Sequence, residues 1–120
     1  MGYDMWQRDC QGFFIPHDKL ADATEVLNKL DKAVKSFEDH LYDYGFETEF
    51  DKDGNVTGLY FVGEKLWEQD ILLKELIPFV REGAFIEFMG EDFTHWRWVF
   101  RKGELIEIEP EIIWHMEEIS

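Results

Sequence analysis

The sequence predicts an α+β protein, a mostly antiparallel sheet in the order β-α(α)-β-β-α-β-β-β with its helices packed on one face. Apolar residues recur at three-four spacing over residues 18–41 and again over 66–77, which is the period of a helix face. Elsewhere they alternate singly, the period of a strand. Asp53-Gly54, Gly90 and Lys102-Gly103 punctuate the alternating segments where hairpin turns belong. At 120 residues the chain is expected to form one domain, 1–120, because a second core would leave each half too small to be stable alone.

The first strand is expected in "YDMWQRDCQGFFIP", interrupted at Gln11-Gly12 and ended by Pro16. From Asp18 onward Leu20, Ala23, Leu27, Leu30, Val34, Phe37 and Leu41 form one helical stripe. Ser36 and Asp39 have the spacing of a capping box, so the helix is expected to restart there. Gly45 suits the left-handed residue that ends a helix. "FETEFDKDGNVTGLYFVG" then reads as a hairpin over residues 46–62 turning at Asp53-Gly54. The same stretch puts Asp51, Asp53, Asn55 and Thr57 at the alternate positions of a calcium loop. Glycine falls at the fourth position rather than the sixth, and Val62 stands where a bidentate Glu is needed, so the hairpin reading is preferred. A second helix over "LWEQDILLKELIPFV" directs Trp67, Ile71, Leu72, Leu76 and Ile77 to the core and ends near Pro78. Strands are expected around 84–89, 95–100 and 104–109, with a tail from Pro110 to Ser120.

The last hairpin admits two registers. A two-residue Lys102-Gly103 turn pairs Trp98 with Glu107 and Trp96 with Glu109, placing carboxylates among rings. A three-residue Arg101-Lys102-Gly103 loop pairs Trp98 with Ile106 and Trp96 with Ile108, and leaves Arg97–Glu107 and His95–Glu109 pairs on the other face. A one-residue shift exchanges the faces, and the second register buries only apolar groups, so it is the one expected.

Charge is the strongest global feature: 27 acidic against 12 basic residues, a net charge of −15. Direct binding to nucleic acid is disfavoured, since attraction to phosphate needs a basic patch, and so is binding to anionic membrane. The longest apolar runs are far short of the roughly 20 residues of a membrane helix, and no basic segment followed by an apolar one suggests a signal peptide. "MGYDMW" begins as a myristoylation signal does, but Trp6 stands where Ser or Thr is needed. Cys10 is the sole cysteine, which excludes an internal disulfide and suits a reducing cytoplasm. It is expected as a packing residue, with Asp9 disfavouring its thiolate.

The acidic residues are unevenly spread. Glu38 to Asp53 holds seven carboxylates and one lysine, and Glu104 to Glu118 holds six with neither lysine nor arginine. Glu47, Glu49 and Asp51 form one row along a strand, and Glu107, Glu109 and Glu111 another, with about 7 Å between successive members. Such rows are also an ordinary solvated strand face. Their lack of neutralising lysine favours an acidic surface that imitates nucleic-acid phosphates and steers a basic partner onto it. An enzyme or ligand-binding domain is the rival reading, with Glu91, Asp92 and His95 as acid–base groups after Gly90. No zinc motif, nucleophile turn, phosphate loop or dinucleotide fingerprint is present, and no cofactor is expected. In a third reading, the tail "EIIWHMEEI", with Ile113, Trp114 and Met116, either docks on the core or joins two copies into a homodimer.

"GAFIEFMGEDFTHWRWVF" at 83–100, "DGNVTGLYFVGEKLW" at 53–67 and the "MGYDM" opening resemble a group of short, largely uncharacterised bacterial and phage-associated proteins. The resemblance implies a setting, that of small proteins that act by binding and blocking, and transfers no functional residue. Together these features suggest a non-enzymatic inhibitor that occludes a basic nucleic-acid-handling protein. Its role would be that of an anti-CRISPR-type phage inhibitor or of an immunity protein against a nuclease toxin.

Overall fold

The computed structural model describes residues 2–112. These run as β1 (Tyr3–Gln11), a 3₁₀ turn (His17–Lys19), α1 (Leu20–Asp31), α2 (Phe37–Asp43), β2 (Phe46–Phe50), β3 (Val56–Phe61), β4 (Lys65–Leu66), α3 (Gln69–Glu75), β5 (Phe85–Gly90), β6 (His95–Arg101) and β7 (Glu104–Ile108). The class is α+β and every strand pairing is antiparallel. The strands divide into two sheets rather than one. Five form the order β4-β1-β5-β6-β7, and the β2-β3 hairpin is separate. Among the described residues, no helix is long and apolar enough to cross a membrane.

Alternation on the five-stranded sheet sends Met5, Ile86, Phe88, Trp96, Trp98 and Phe100 to one face. There they join Ala23 and Leu27 of α1, Phe37 and Leu41 of α2, and Leu72, Leu73 and Leu76 beside α3 in one buried cluster. The aromatic rings of residues 96–100 therefore lie under the helices, as their alternation predicts.

The helix restarts where the cap spacing predicts. α1 ends as Lys32 takes a left-handed conformation (φ 53°), and the Ser36 Oγ accepts from the Asp39 N–H at 3.1 Å to open α2. The two helices are tied by His40, which is fully buried. Its Nδ1 lies 2.7 Å from Asp31 Oδ2 and its Nε2 2.6 Å from Asn28 Oδ1. The Lys35 N–H also donates to that Asn28 oxygen, at 3.0 Å, and the Tyr44 hydroxyl donates to Asp31 Oδ1 at 2.7 Å. Burial, and then the Asp31 carboxylate, push the Tyr44 hydroxyl pKa well up.

α3 is rotated from the expected orientation. Trp67 and Ile71 are exposed, while Gln69, Leu72, Leu73 and Leu76 face inward. Gln69 fixes this rotation: its Nε2 donates to the Lys65 carbonyl at 3.1 Å and the Tyr44 carbonyl at 3.3 Å, and its Oε1 accepts from the Trp67 N–H at 2.6 Å. The inward positions are then i, i+3, i+4 and i+7 counted from the glutamine. Trp67 stacks on Tyr44 from outside.

The last hairpin takes the register that the burial argument rejects. Arg101 pairs with Glu104 and Trp98 with Glu107, so the connection is the two-residue Lys102-Gly103 turn. Both residues have positive φ, 53° and 74°, as in the primed turn whose twist matches that of its flanking strands. Glu107 costs little on the core side because β7 is an edge strand. There its Oε1 accepts from the buried Trp98 indole N–H at 2.9 Å. The expected Arg97–Glu107 and His95–Glu109 pairs do not form. Arg97 lies opposite Ile108 and instead donates to Glu87 Oε1 at 2.7 Å.

Candidate functional site: an acidic lobe on the α2–β2–β3 segment

Gly45 turns the chain from α2 into β2. Its φ is 90°, and a Cβ added there would lie 2.7 Å from the Phe61 ring, so only glycine fits. The Val62 N–H donates to its carbonyl at 2.8 Å, fixing the base of the hairpin against the helix end. β2 and β3 then pair Phe46 with Phe61, Glu47 with Tyr60, Thr48 with Leu59 and Glu49 with Gly58. Phe46 and Leu59 are buried, which sends Glu47, Glu49 and Tyr60 outward.

A glutamine side chain holds the hairpin to the main sheet. Gln7 Nε2 donates to the Leu59 carbonyl at 2.7 Å, and its Oε1 accepts from the Phe61 N–H at 2.8 Å. The primary amide thereby takes the place of a strand residue along the edge of β3, next to the antiparallel bridge that Ile15 makes with Val56. A bulge between Gln7 and Asp9 lets both Gln7, opposite Phe88, and Cys10, opposite Ile86, lie on the core side. Cys10 is half-buried and free, as its packing role predicts. Burial, with Asp9 and Glu49 adding to it, pushes its thiol pKa up.

Asp51 belongs to the turn itself. Its Oδ1 accepts from the Asp53 and Asn55 N–H groups at 2.9 and 3.0 Å, and its Oδ2 from Asn55 Nδ2 at 2.9 Å. These donors, the Asn55 side chain first, hold its carboxyl below the ordinary range. Glu49 accepts from Thr57 Oγ1 at 3.0 Å and from the Tyr60 hydroxyl at 3.1 Å, and its carboxylate raises the Tyr60 pKa. Glu47 is exposed and stands directly opposite Tyr60.

The resulting lobe presents Glu38 and Asp39 from α2, Glu47 and Glu49 from β2, and Asp53 from the turn, all exposed. Tyr42 of α2 (64% exposed) and Tyr60 of β3 (49%), whose hydroxyl meets Glu49, are exposed on the same segment. Of the nearby cations, Lys35 is paired with Asp43, while Lys52 sits at the turn. Sequence reading identifies the carboxylates but not the tyrosines, because alternation on β3 shows only that Tyr60 faces away from Leu59.

The two acidic rows do not make one surface. The hairpin adjoins β1 through Gln7, whereas β7 lies across β5 and β6 from β1, three strand spacings or about 14 Å away. In the second row Glu107 is held by Trp98, Glu109 lines a cavity on the main sheet, and Glu111 is exposed beyond the strand.

The catalytic candidates do not converge either. Glu91 Oε1 accepts from the Asp4 N–H at 2.9 Å. Asp92 accepts from the Tyr3 hydroxyl and, at 3.2 Å, from the Thr94 N–H. The Tyr3 bond is the main cause of a lowered Asp92 pKa, so this carboxyl is held as a turn-fixing anion. His95 lies opposite Met89 on the other sheet face and lines the same cavity as Glu109. The tail residues Ile113, Trp114 and Met116 lie outside the described residues. No protein-family model, curated protein or solved structure matches this chain.

Proposed function

We propose that the protein is a non-enzymatic binding protein whose acidic lobe occludes a basic, nucleic-acid-handling partner. The observation that carries this reading is that Glu38, Asp39, Glu47, Glu49 and Asp53 are all exposed on the α2–β2–turn segment, with Tyr42 of α2 and Tyr60 of β3 exposed as well. Carboxylates in such a group attract lysines and arginines that otherwise hold phosphate, which raises the association rate and fixes orientation. Tyrosine supplies contact area at small conformational cost and is enriched among interface anchors. The net charge of −15 adds long-range attraction to a cationic protein. In this reading Glu47 and Glu49 make direct contact and Asp51 shapes the turn. Glu107, Glu109 and Glu111 contribute through the overall field. An anti-CRISPR-type phage inhibitor and an immunity protein against a nuclease toxin both fit this occlusion.

The test is capture from bacterial lysate by the tagged protein, washed through rising salt, followed by addition of duplex DNA to what is retained. The expected result is a basic nucleic-acid-binding protein that leaves at moderate salt and that DNA displaces. Retention unaffected by salt or DNA, or no retention at low salt, contradicts the reading.

A further inference from the structure

Trp67 is the most exposed tryptophan among the described residues, at 60%, yet it is held in place. Its ring stacks on that of Tyr44, with 5.4 Å between centroids and 29° between planes, and its backbone N–H donates to Gln69 Oε1 at 2.6 Å. Tyr44 is fixed in turn. It is buried, its hydroxyl donates to Asp31 Oδ1 at 2.7 Å, and its carbonyl accepts from Gln69 Nε2 at 3.3 Å. One face of the indole is therefore covered, and its exposed surface lies on the other face and the ring edges. An aromatic side chain ordered before contact loses little conformational entropy on binding, and tryptophan is enriched among the residues that anchor interfaces.

The charge around this stacked pair is negative. Glu68, beside Trp67 in the chain, is exposed, and its carboxylate lies near enough to Tyr44 to add, after burial and Asp31, to the raised hydroxyl pKa. Among the described residues Glu68 has no ion-pair partner, whereas the neighbouring cations are taken: Lys65 pairs with Asp4, Lys74 with Asp70 and Lys35 with Asp43. We propose that this platform receives an arginine side chain of the basic partner, the guanidinium lying over the open face of Trp67 and donating to the Glu68 carboxylate. Arginine suits it better than lysine because a planar guanidinium stacks on a ring face while its fork of N–H groups matches a carboxylate. Its methylene stem finds apolar surface at Val62, which is 51% exposed and whose N–H donates at 2.8 Å to the carbonyl of Gly45, the residue after Tyr44. The platform adjoins the lobe, since Tyr44 closes α2, the helix that carries Glu38 and Asp39. The inference rests on the proposed function for the partner being basic, but the recognition can be measured without that partner.

The test titrates the full chain, isotopically labelled on nitrogen, with an arginine–glycine hexapeptide and separately with the lysine–glycine hexapeptide of equal charge. The readout is the Trp67 indole N–H signal, assigned by its loss in Trp67→Phe. The expected result is a saturable shift of that signal at a concentration of arginine peptide about fivefold lower than of lysine peptide. Glu68→Gln, at a position whose side chain makes no helix-capping bond, should raise the arginine peptide concentration required by about threefold. The platform is refuted if the amide signals of Glu47 and Glu49 move while the Trp67 indole does not, an outcome that leaves the acidic lobe standing. It is refuted as well if the two peptides act alike. A selective arginine response at Trp67 with no protein retained from lysate would uphold the platform and overturn the proposed function instead.

Discussion

Replacing Gln7 by Leu removes two hydrogen bonds between the main sheet and the hairpin and leaves the side-chain volume nearly unchanged. The Leu59 carbonyl and the Phe61 N–H lose their partners. Each buried backbone group left unpaired costs about 1–3 kcal/mol. Leu59 is fully buried and Phe61 half-buried, so water can recover part of the loss at Phe61 but little at Leu59. The expected destabilisation is about 2–4 kcal/mol, a large part of the 5–15 kcal/mol typical of whole domains. In urea denaturation the midpoint should fall by roughly 1–3 M with little change in slope. Gln7→Glu separates the roles of the two atoms. A carboxylate still accepts from the Phe61 N–H, but its other oxygen faces the Leu59 carbonyl and repels it. Protonation restores a donor there, so the folded-state pKa of this carboxyl is raised. Its deficit relative to the Gln7 protein is therefore greatest at neutral pH and shrinks as the pH falls through that raised value. A Leu variant within 0.5 kcal/mol of the parent, a margin set by ordinary surface substitutions, or a Glu deficit independent of pH, would refute the bridging role of Gln7.

Three further outcomes follow from the described contacts. His40→Leu should destabilise by about 2–4 kcal/mol in the same assay, because Asp31 and Asn28 lose their shared partner in a closed site. Glu107→Ala should cost about 1 kcal/mol and shift tryptophan emission as the Trp98 N–H loses its acceptor, whereas Glu107→Gln, which keeps an oxygen there, should do neither. Asp51 has a lowered carboxyl pKa in the fold, so its contribution is present at neutral pH and lost as the pH falls through that value. The stability difference between the parent and Asp51→Asn should be constant above about pH 5 and shrink below about pH 4. A difference independent of pH would show that the turn does not use the anion.

Much of this architecture is legible from period and punctuation. The Ser36 cap, the Gly45 stop, the hairpin at 46–61 and the strands at 85–90 and 95–101 follow from local rules that tertiary contacts do not overrule here. What escaped was decided by side chains acting at a distance. The β2-β3 hairpin stands apart from the main sheet and is joined to it by a glutamine 52 residues away in sequence from its first partner, a contact that strand period cannot place. The rotation of α3 depends on buried Gln69, a polar residue that a hydrophobic stripe cannot place at its centre. The β7 register departs from the burial pattern because an edge strand has room on its core side for the Glu107 carboxylate to meet the Trp98 N–H. For the candidate site, sequence gave the count of carboxylates and the outward direction of Glu47 and Glu49. It could not show that the β7 row lies three strands from the hairpin's neighbour, nor that Asp51 is taken up by its own turn.

In the proposed function it is the lobe on α2 and the hairpin, rather than negative charge in general, that holds the partner. The most direct measurement compares two variants of equal net charge in the salt-series capture, Glu38→Gln/Glu47→Gln/Glu49→Gln and Glu107→Gln/Glu109→Gln/Glu111→Gln. The first is expected to weaken retention of the partner at least tenfold, about 1.4 kcal/mol, and the second to shift only the salt at which release occurs. Equal loss in both variants, or loss in the second alone, would contradict it.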